Sequence, residues 1–435
     1  MSKKQKPSSV RHTRAVQYAR TKHRPDAPPP AEVAQWMAEI VNPATYAQMD
    51  AYAAMGLRAR ILDLPTMVAL MVSMIWQQVA SVSELVRLLV EEGLLWVDPT
   101  EVSQQAVSER IRSFPAKLFK QVLLEVLPRM EERALARSRP QPECIERAHN
   151  HFGRVLVMDG STLDVLLRKV GLLRGAPPGV LAGKMAVLLN LVTRLPVAAW
   201  FNDDPKAHDL TFRDHLLAAL IPKDLLIIDR GFQDYSFFDD LTGADVGFIT
   251  RPKRNAVIRE VAVLGKSAQV HDRIIQLGGL DAPCRHDLRL VEVLHQGKWY
   301  RYLTNILDPN HLSALDVADL YRRRWRVEDA FMTVKRVLGL SYLWVGSANG
   351  VALQVWATWL VYAMLVDLTD AVADRLGRLF DAISIEMVFR GLYYYTGAVK
   401  RGDPRDVVTY LADKAHRLGL IKRIRSKPLT IAARA

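Results

Sequence analysis

Two aspartates and one charged helix carry the residue types that phosphate chemistry requires. Asp159 follows the apolar run Val155 to Met158, and Asp229 follows Leu225 to Ile228; each opens a turn sequence, Asp159-Gly160-Ser161-Thr162 and Asp229-Arg230-Gly231. If the two runs are neighbouring strands, both carboxylates reach the same edge of a sheet, where α/β proteins place their sites. A lone Asp after a strand also reads as a simple turn cap. Farther along, Tyr321, Arg324, Glu328 and Lys335 fall within about 60° of one another on a helix turning about 100° per residue. Arg322, Arg326, Asp329 and Arg336 form a second polar stripe; Trp325 and Met332 lie between the stripes on one side, with Val327, Phe331, Val334 and Leu338 on the other. Intrahelical pairs, worth a few tenths of a kcal/mol each, explain the charge but not its segregation. A stripe facing a phosphate-bearing site explains both. Phosphodiester attack lines up water or a 3′-hydroxyl opposite the leaving oxygen, and two divalent ions about 3.5 to 4 Å apart stabilise both oxygens. Mg²⁺ takes carboxylate oxygens, so three acids suffice, and no His or Cys cluster has zinc spacing.

The elements that must position these residues follow from pattern. Val155 to Met158, Met185 to Thr193 and Val197 to Phe201 read as strands, then a helix from about Thr211 to Leu220, then strands Leu225 to Ile228 and Val246 to Thr250. This is a mixed α/β sheet. His208 and Asp209 fall between the two Asp motifs and could approach the site, although a helix N-terminus accounts for them more simply. Residues 254–306 alternate in the manner of strands at Val257 to Val263, Leu288 to Leu294 and Trp299 to Leu303, a β-rich insertion. Helical pattern returns from about Leu312 to Leu418. Before the sheet, Ala31 to about Ser138 is helical almost throughout. There, Val82 to Glu92 and Val102 to Phe114 resemble a helix-turn-helix offering Ser103, Gln104, Gln105, Ser108, Arg110 and Arg112, although a plain helical bundle fits the same pattern. Pro28, Pro29 and Pro30 end a basic, polar arm that reads as disordered.

Composition narrows the class. The chain has 435 residues, 50% hydrophobic and 24% charged, as in a globular protein. Leu64 to Ala80 is broken by Gln77 and Gln78, and Val351 to Leu368 carries Gln354 and Asp367, so both read as buried helices and no membrane is expected. Two cysteines, Cys144 and Cys284, cannot make a disulfide framework, and no secretory h-region is present, which points to a reducing cytoplasm. Of the net charge of +13, residues 1–24 hold eight Lys/Arg and residues 414–435 hold seven, with no acid in either, so the 389 residues between them net −2. Basic arms on a near-neutral body suit a polyanion, nucleic acid above all; solubility tails or an acidic protein partner would use the same charge.

The pattern Tyr321-x2-Arg324-x3-Glu328-x6-Lys335 resembles the YREK signature of the prokaryotic DDE transposases in the insertion-sequence-four family. Asp159 and Asp229 look like that family's two Asp motifs, in the right order, and the β-rich segment looks like the insertion these enzymes carry. The resemblance covers residues 150–375. It implies a ribonuclease-H-like mixed sheet interrupted by a β-rich insertion and preceded by an all-helical domain. The corresponding parts are a basic arm (1–30), a helical DNA-binding domain (31–148), a catalytic domain in two parts (149–253 and 307–413) around the insertion (254–306), and a basic tail (414–435). It further implies Asp159, Asp229 and Glu328 as catalytic metal ligands for two Mg²⁺, with Mn²⁺ able to substitute, and Tyr321, Arg324 and Lys335 as DNA-phosphate contacts. Arg323 and Arg230 are secondary DNA candidates. Trp299 is a candidate stacking surface for a flipped base, against which stands a core tryptophan of the insertion. The expected protein is a cut-and-paste transposase, acting as a homodimer on double-stranded DNA, on terminal inverted repeats and target DNA, in a prokaryotic cytoplasm at the nucleoid. A ribonuclease-H-like nuclease or resolvase without strand transfer, and a non-catalytic DNA-binding regulator, remain as rivals.

Overall fold

A computed structural model describes residues 31–57, 60–162, 183–202, 204, 207–279, 283–340, 344 and 347–422. The expected arm 1–30 and the end of the basic tail, residues 423–435, lie outside them. Among the described residues seven helices come first: α1 (Ala31–Tyr46), α2 (Met49–Ala54), α3 (Leu64–Trp76), α4 (Val82–Glu91), α5 (Gln104–Ser113), α6 (Ala116–Leu135) and α7 (Glu143–His149). Their starts are written in short polar residues: Asp63 caps α3 through Thr66 N, Ser81 caps α4 through Glu84 N, and Ser103 caps α5 through Ala106 N. The two helices expected as a helix-turn-helix exist within two residues of their sequence limits. Arg110, however, turns inward to Tyr52 Oη and the Leu62 carbonyl, leaving Gln104, Gln105 and Arg112 on the exposed side.

The sheet holds β1 (Arg154–Thr162), β2 (Lys184–Asn190), β3 (Pro196–Asn202), β4 (Asp224–Ile228), β5 (Gly247–Thr250), β6 (Ile258–Lys266), β7 (Val270–Leu277), β8 (Leu288–His295) and β9 (Lys298–Thr304) in the order β3-β2-β1-β4-β5-β9-β8-β7-β6. β1, β4 and β5 run parallel and the remaining pairs are antiparallel. The β-rich segment is therefore a four-stranded meander continuous with the main sheet, joined where β9 pairs with β5 at Ile249↔Thr304 and Thr250↔Leu303. Its β7 escaped the sequence pattern because Asp272 and Arg273 interrupt the apolar run. Asp272 is nonetheless buried, neutralised by a two-point pair with Arg289 at 2.7 and 2.6 Å.

Odd positions of β1 and β4 face one apolar layer and even positions the other. Val155, Val157, Leu225 and Ile227 pack with the N-terminal helices and with α10 (Ala314–Arg322), α11 (Trp325–Met332) and α12 (Ala348–Arg375). Leu156, Met158, Leu226 and Ile228 pack under α8 (Arg213–Ala219) and α9 (Tyr235–Gly243), a helix that went unread in the sequence. α12 is long and apolar enough to cross a membrane, yet 94% of its most apolar window is buried inside the protein. A helix apolar all round is stable only when surrounded, as α12 is by α3, α6, α13 (Ile385–Lys400) and α14 (Val407–Asp413). Its acidic end is fastened to the first helices: Arg137 spans Asp367 and Asp370 at 2.7 and 2.8 Å, and Arg139 pairs with Asp370.

Asp370 is fully buried between those two arginines. Asp370→Ala leaves the buried Arg139 without its carboxylate and Arg137 with Asp367 alone, and is expected to destabilise the fold by about 3 to 5 kcal/mol. Denaturant unfolding checks this, and a loss below about 1 kcal/mol contradicts the packing described.

Candidate active site

Asp159 does not end its strand: β1 continues to Thr162 because β2 keeps pairing with it as far as Thr162↔Lys184, while the parallel partner β4 stops at Ile228. The termination of β4 is what opens the edge. Asp159 and Asp229 both occupy odd positions, so both side chains face the layer of α10 and α11. Asp159 accepts from the Gly160 N–H at 2.8 Å, and Asp229 caps a short 3-10 turn (Arg230–Phe232) by accepting from the Gly231 N–H at 2.7 Å.

The helix expected to run unbroken from Tyr321 to Lys335 is three pieces. α10 ends at Arg322; Arg323 and Arg324 form a tight turn whose N–H groups reach back three residues to Leu320 and Tyr321 O; α11 follows; and Thr333–Val337 is a π-turn. Ideal helical spacing thus fails at both ends of the stripe, and a π-turn inside a helix is common where a side chain must be re-aimed. The re-aimed residues still converge. Arg324 Nη1 donates to Asp159 Oδ2 at 2.7 Å, its Nη2 donates to Glu328 Oε1 at 3.2 Å, and Nη2 lies 3.9 Å from Asp229 Oδ2. Lys335 Nζ donates to Ser161 Oγ at 2.7 Å, bringing the π-turn onto the end of β1. Tyr321 packs its ring 5.3 Å from that of Tyr302, beside Arg324.

The other candidates lie elsewhere. Arg323 turns away from the triad, onto Asp381 Oδ2 at 3.2 Å and Cys144 Sγ at 3.2 Å. Asp381, which sequence reasoning passed over, also receives Arg326 at 3.1 Å and Arg194 at 2.7 Å, so it clamps the turn on both sides of Arg324. Arg230 is exposed beside Asp229. Trp299 is 43% exposed and stacks on His271 with ring centroids 4.5 Å apart. Alternation along β9 puts it on the face opposite Tyr302 and Tyr321, three residues or about 10 Å along the strand from Tyr302. His208 caps a 3-10 turn (Asp209–Phe212) that leads into α8, the helix start expected there.

Electrostatics at this edge are dominated by burial and by the arginine. Burial pushes the Asp159 carboxyl up to about 6, with Arg324 and the Gly160 N–H opposing and Asp229 and Asp209 adding to the rise. Burial works against the charge of Arg324, but Asp159, Tyr321, Asp229 and Glu328 together outweigh it and raise its pKa. Burial likewise raises the Tyr321 phenol. The donor set is carboxylate oxygen throughout, which suits a hard divalent cation such as Mg²⁺. Among the described residues no three acidic, His or Cys groups converge tightly enough to grip an ion as they stand; the Arg324 guanidinium lies among them, and an ion requires it to move.

Residues 150–364 match the family model described as the transposase DDE domain. The chain is 29% identical over 165 residues to a protein of Sinorhizobium fredii named as a transposase, covering 35% of this chain and 43% of that protein. It is 29% identical over 156 residues to a protein of Geobacillus stearothermophilus named as a transposase for an insertion sequence element, covering 34% and 40%. The matches thus span less than half the length of either relative. A cryo-EM structure of the piggyBac transposase synaptic complex with hairpin DNA aligns over 93% of this chain and 88% of that one, with 10% identity and a TM-score of 0.41.

The raised pKa of Asp159 fixes a pH dependence. The fold favours the protonated form, so the contribution of Asp159 to stability is fully present below about pH 4 and lost as the pH rises through about 6. The gap from the ordinary 3.8 is worth up to about 3 kcal/mol at 1.36 kcal/mol per pH unit. Unfolding in chelator is expected to show wild type losing that much relative to Asp159→Asn between about pH 4 and 7; parallel pH profiles contradict it.

Proposed function

We propose that this chain, which carries a transposase DDE domain, is a cut-and-paste transposase of the insertion-sequence-four type that cleaves at the ends of its element and joins the freed 3′-hydroxyls to target DNA. One observation carries the reading: Asp159, Asp229 and Glu328, from three separate elements, meet at one sheet edge around Arg324, all inside the segment that matches the DDE domain. The strand order β3-β2-β1-β4-β5, with β2 antiparallel to β1 and β4 and β5 parallel to it, supports a ribonuclease-H-like core to which the meander is appended.

The three carboxylates would hold two Mg²⁺, with Mn²⁺ as a substitute; when bound, the cations neutralise charge on the phosphoryl group and activate the attacking oxygen. The protein's own residues do the rest. Asp159 is set by the strand and Asp229 by its 3-10 turn, while Glu328 sits on a helix whose start is clamped through Asp381, so all three oxygens approach from rigid elements. Arg324 Nε is buried and has no hydrogen-bond partner among the described residues, which leaves a donor for a phosphate oxygen when the guanidinium swings off the carboxylates. Lys335, which reaches from the π-turn to Ser161, is the candidate to hold a phosphate of the DNA end, and Tyr321 the candidate for one near the cut. Gln104, Gln105 and Arg112 on the exposed side of α5 are further candidates for DNA contact. Pairing two element ends requires two active sites and hence a dimer, and a chromosomal substrate places the protein at the nucleoid.

Cleavage of a supercoiled plasmid bearing the terminal repeats tests this. With Mg²⁺ or Mn²⁺, end cutting and joined products are expected, and Asp159→Ala, Asp229→Ala and Glu328→Ala are each expected to reduce cutting by on the order of 10³-fold while DNA binding survives. Cutting without joining favours the nuclease; binding without cutting under any metal favours the regulator.

A further inference from the structure

The two glycines of the Asp motifs are not required by backbone conformation, since neither Gly160 nor Gly231 has a positive φ. At Gly160 the obstacle to a side chain is Asp209, with Lys184 Cε next at 3.0 Å, whereas at Gly231 a Cβ would only touch Asp209. A Cβ on Gly160 would lie 2.5 Å from Asp209 Oδ1, and one on Gly231 would lie 3.4 Å from Asp209 Oδ2 and 3.7 Å from Asp229 Oδ1. The geometry follows from the sheet. Gly160 occupies an even position of β1, paired with Ala186, and so faces the layer of α8 and α9, from which the 3-10 turn holding Asp209 approaches. Asp159 and Asp229 face the other layer, and the missing side chain at Gly160 leaves room for the Asp209 carboxylate to come up beside their two turns. Asp209 is held there by Lys184, whose Nζ lies 2.5 Å from Oδ1 and also donates to the Ala207 carbonyl at 2.8 Å, and its side chain is 28% exposed.

We infer that Asp209 is a fourth carboxylate of the site, a positioning residue that sets the spacing of the Asp159 and Asp229 turns and adds its negative charge where divalent cations are to be held. This rests on the metal-dependent reading of the site. Gly160 is then the space Asp209 needs, Gly231 lies in contact with it, and Lys184 is its anchor on β2. Asp209 acts through the two turns, so it governs how much cation the site requires more than how fast the loaded site turns over.

The test combines binding and coupling. Mn²⁺ alone is titrated into the full-length protein, followed by electron paramagnetic resonance, for wild type, Asp209→Asn and Lys184→Gln, with thermal unfolding as the check on folding. Asp209→Asn is expected to fold like wild type and to need about tenfold more Mn²⁺ for half-saturation, the scale of outer-shell partners in metal sites. Cleavage by the same variant should recover most of its rate at saturating Mn²⁺, a split that a general structural defect would not produce. Gly160→Ala is expected to be destabilised by collision with the Asp209 carboxylate, and adding Asp209→Ala should relieve that loss, so the two substitutions are strongly non-additive. Wild type and Asp209→Asn binding Mn²⁺ equally, or additive losses in the Gly160/Asp209 pair, overturn the inference. A wild type that binds no Mn²⁺ overturns instead the metal-dependent function on which it rests.

Discussion

One guanidinium, 7% exposed, sits among three carboxylates drawn from a strand end, a 3-10 turn and a helix. Carboxylates gathered at one edge repel each other, and burying them multiplies the cost. Arg324 offsets that cost, and the structure around it exists to put it there: the tight turn between α10 and α11 aims it, and Asp381, holding Arg323, Arg326 and Arg194, fixes both sides of the turn. Whatever holds these acids together must be positive, and in the function proposed above a divalent ion would take over that role and free Arg324 for a phosphate of the DNA.

The sheet supplies the second constraint. Because side chains alternate along a strand, Asp159 and Asp229 can face α11 only if the residues before them pack Val155, Val157, Leu225 and Ile227 into the same layer. A slip of one residue would send both carboxylates to the opposite layer, into the apolar cluster under α8 and α9. The position of the site is therefore enforced by the whole apolar pattern of β1 and β4, and the long buried helix α12 ties that layer to the N-terminal helices through Arg137, Arg139 and their aspartates.

Much of this could be read from the chain. The five strands of the main sheet, the turn residues after Val155 to Met158 and Leu225 to Ile228, and the spacing of Arg324 and Glu328 led to the residues that meet in space, because local pattern and long-range packing agree there. Three features were hidden for physical reasons. The break at Arg323 and the π-turn at Thr333–Val337 depend on tertiary contacts to Asp381 and Ser161, which no helical periodicity reports. β7 carries Asp272 in its middle, tolerable only because Arg289 arrives from the neighbouring strand. Asp209 read first as a helix start, which it is, with an approach to the site as the alternative; its place beside the Asp turns could not be chosen from sequence because it depends on how the 3-10 turn packs against β1. Arg323, next to the residue that matters most, points the other way.

The most direct test of the central claim is a crystal structure of the protein with Mn²⁺ and an element-end duplex, with anomalous scattering recorded at the manganese edge. Anomalous peaks bounded by Asp159, Asp229 and Glu328 are expected, with Arg324 moved onto a DNA phosphate. Manganese absent from that edge, with Arg324 still bonded to Asp159 and Glu328 beside bound DNA, would contradict it.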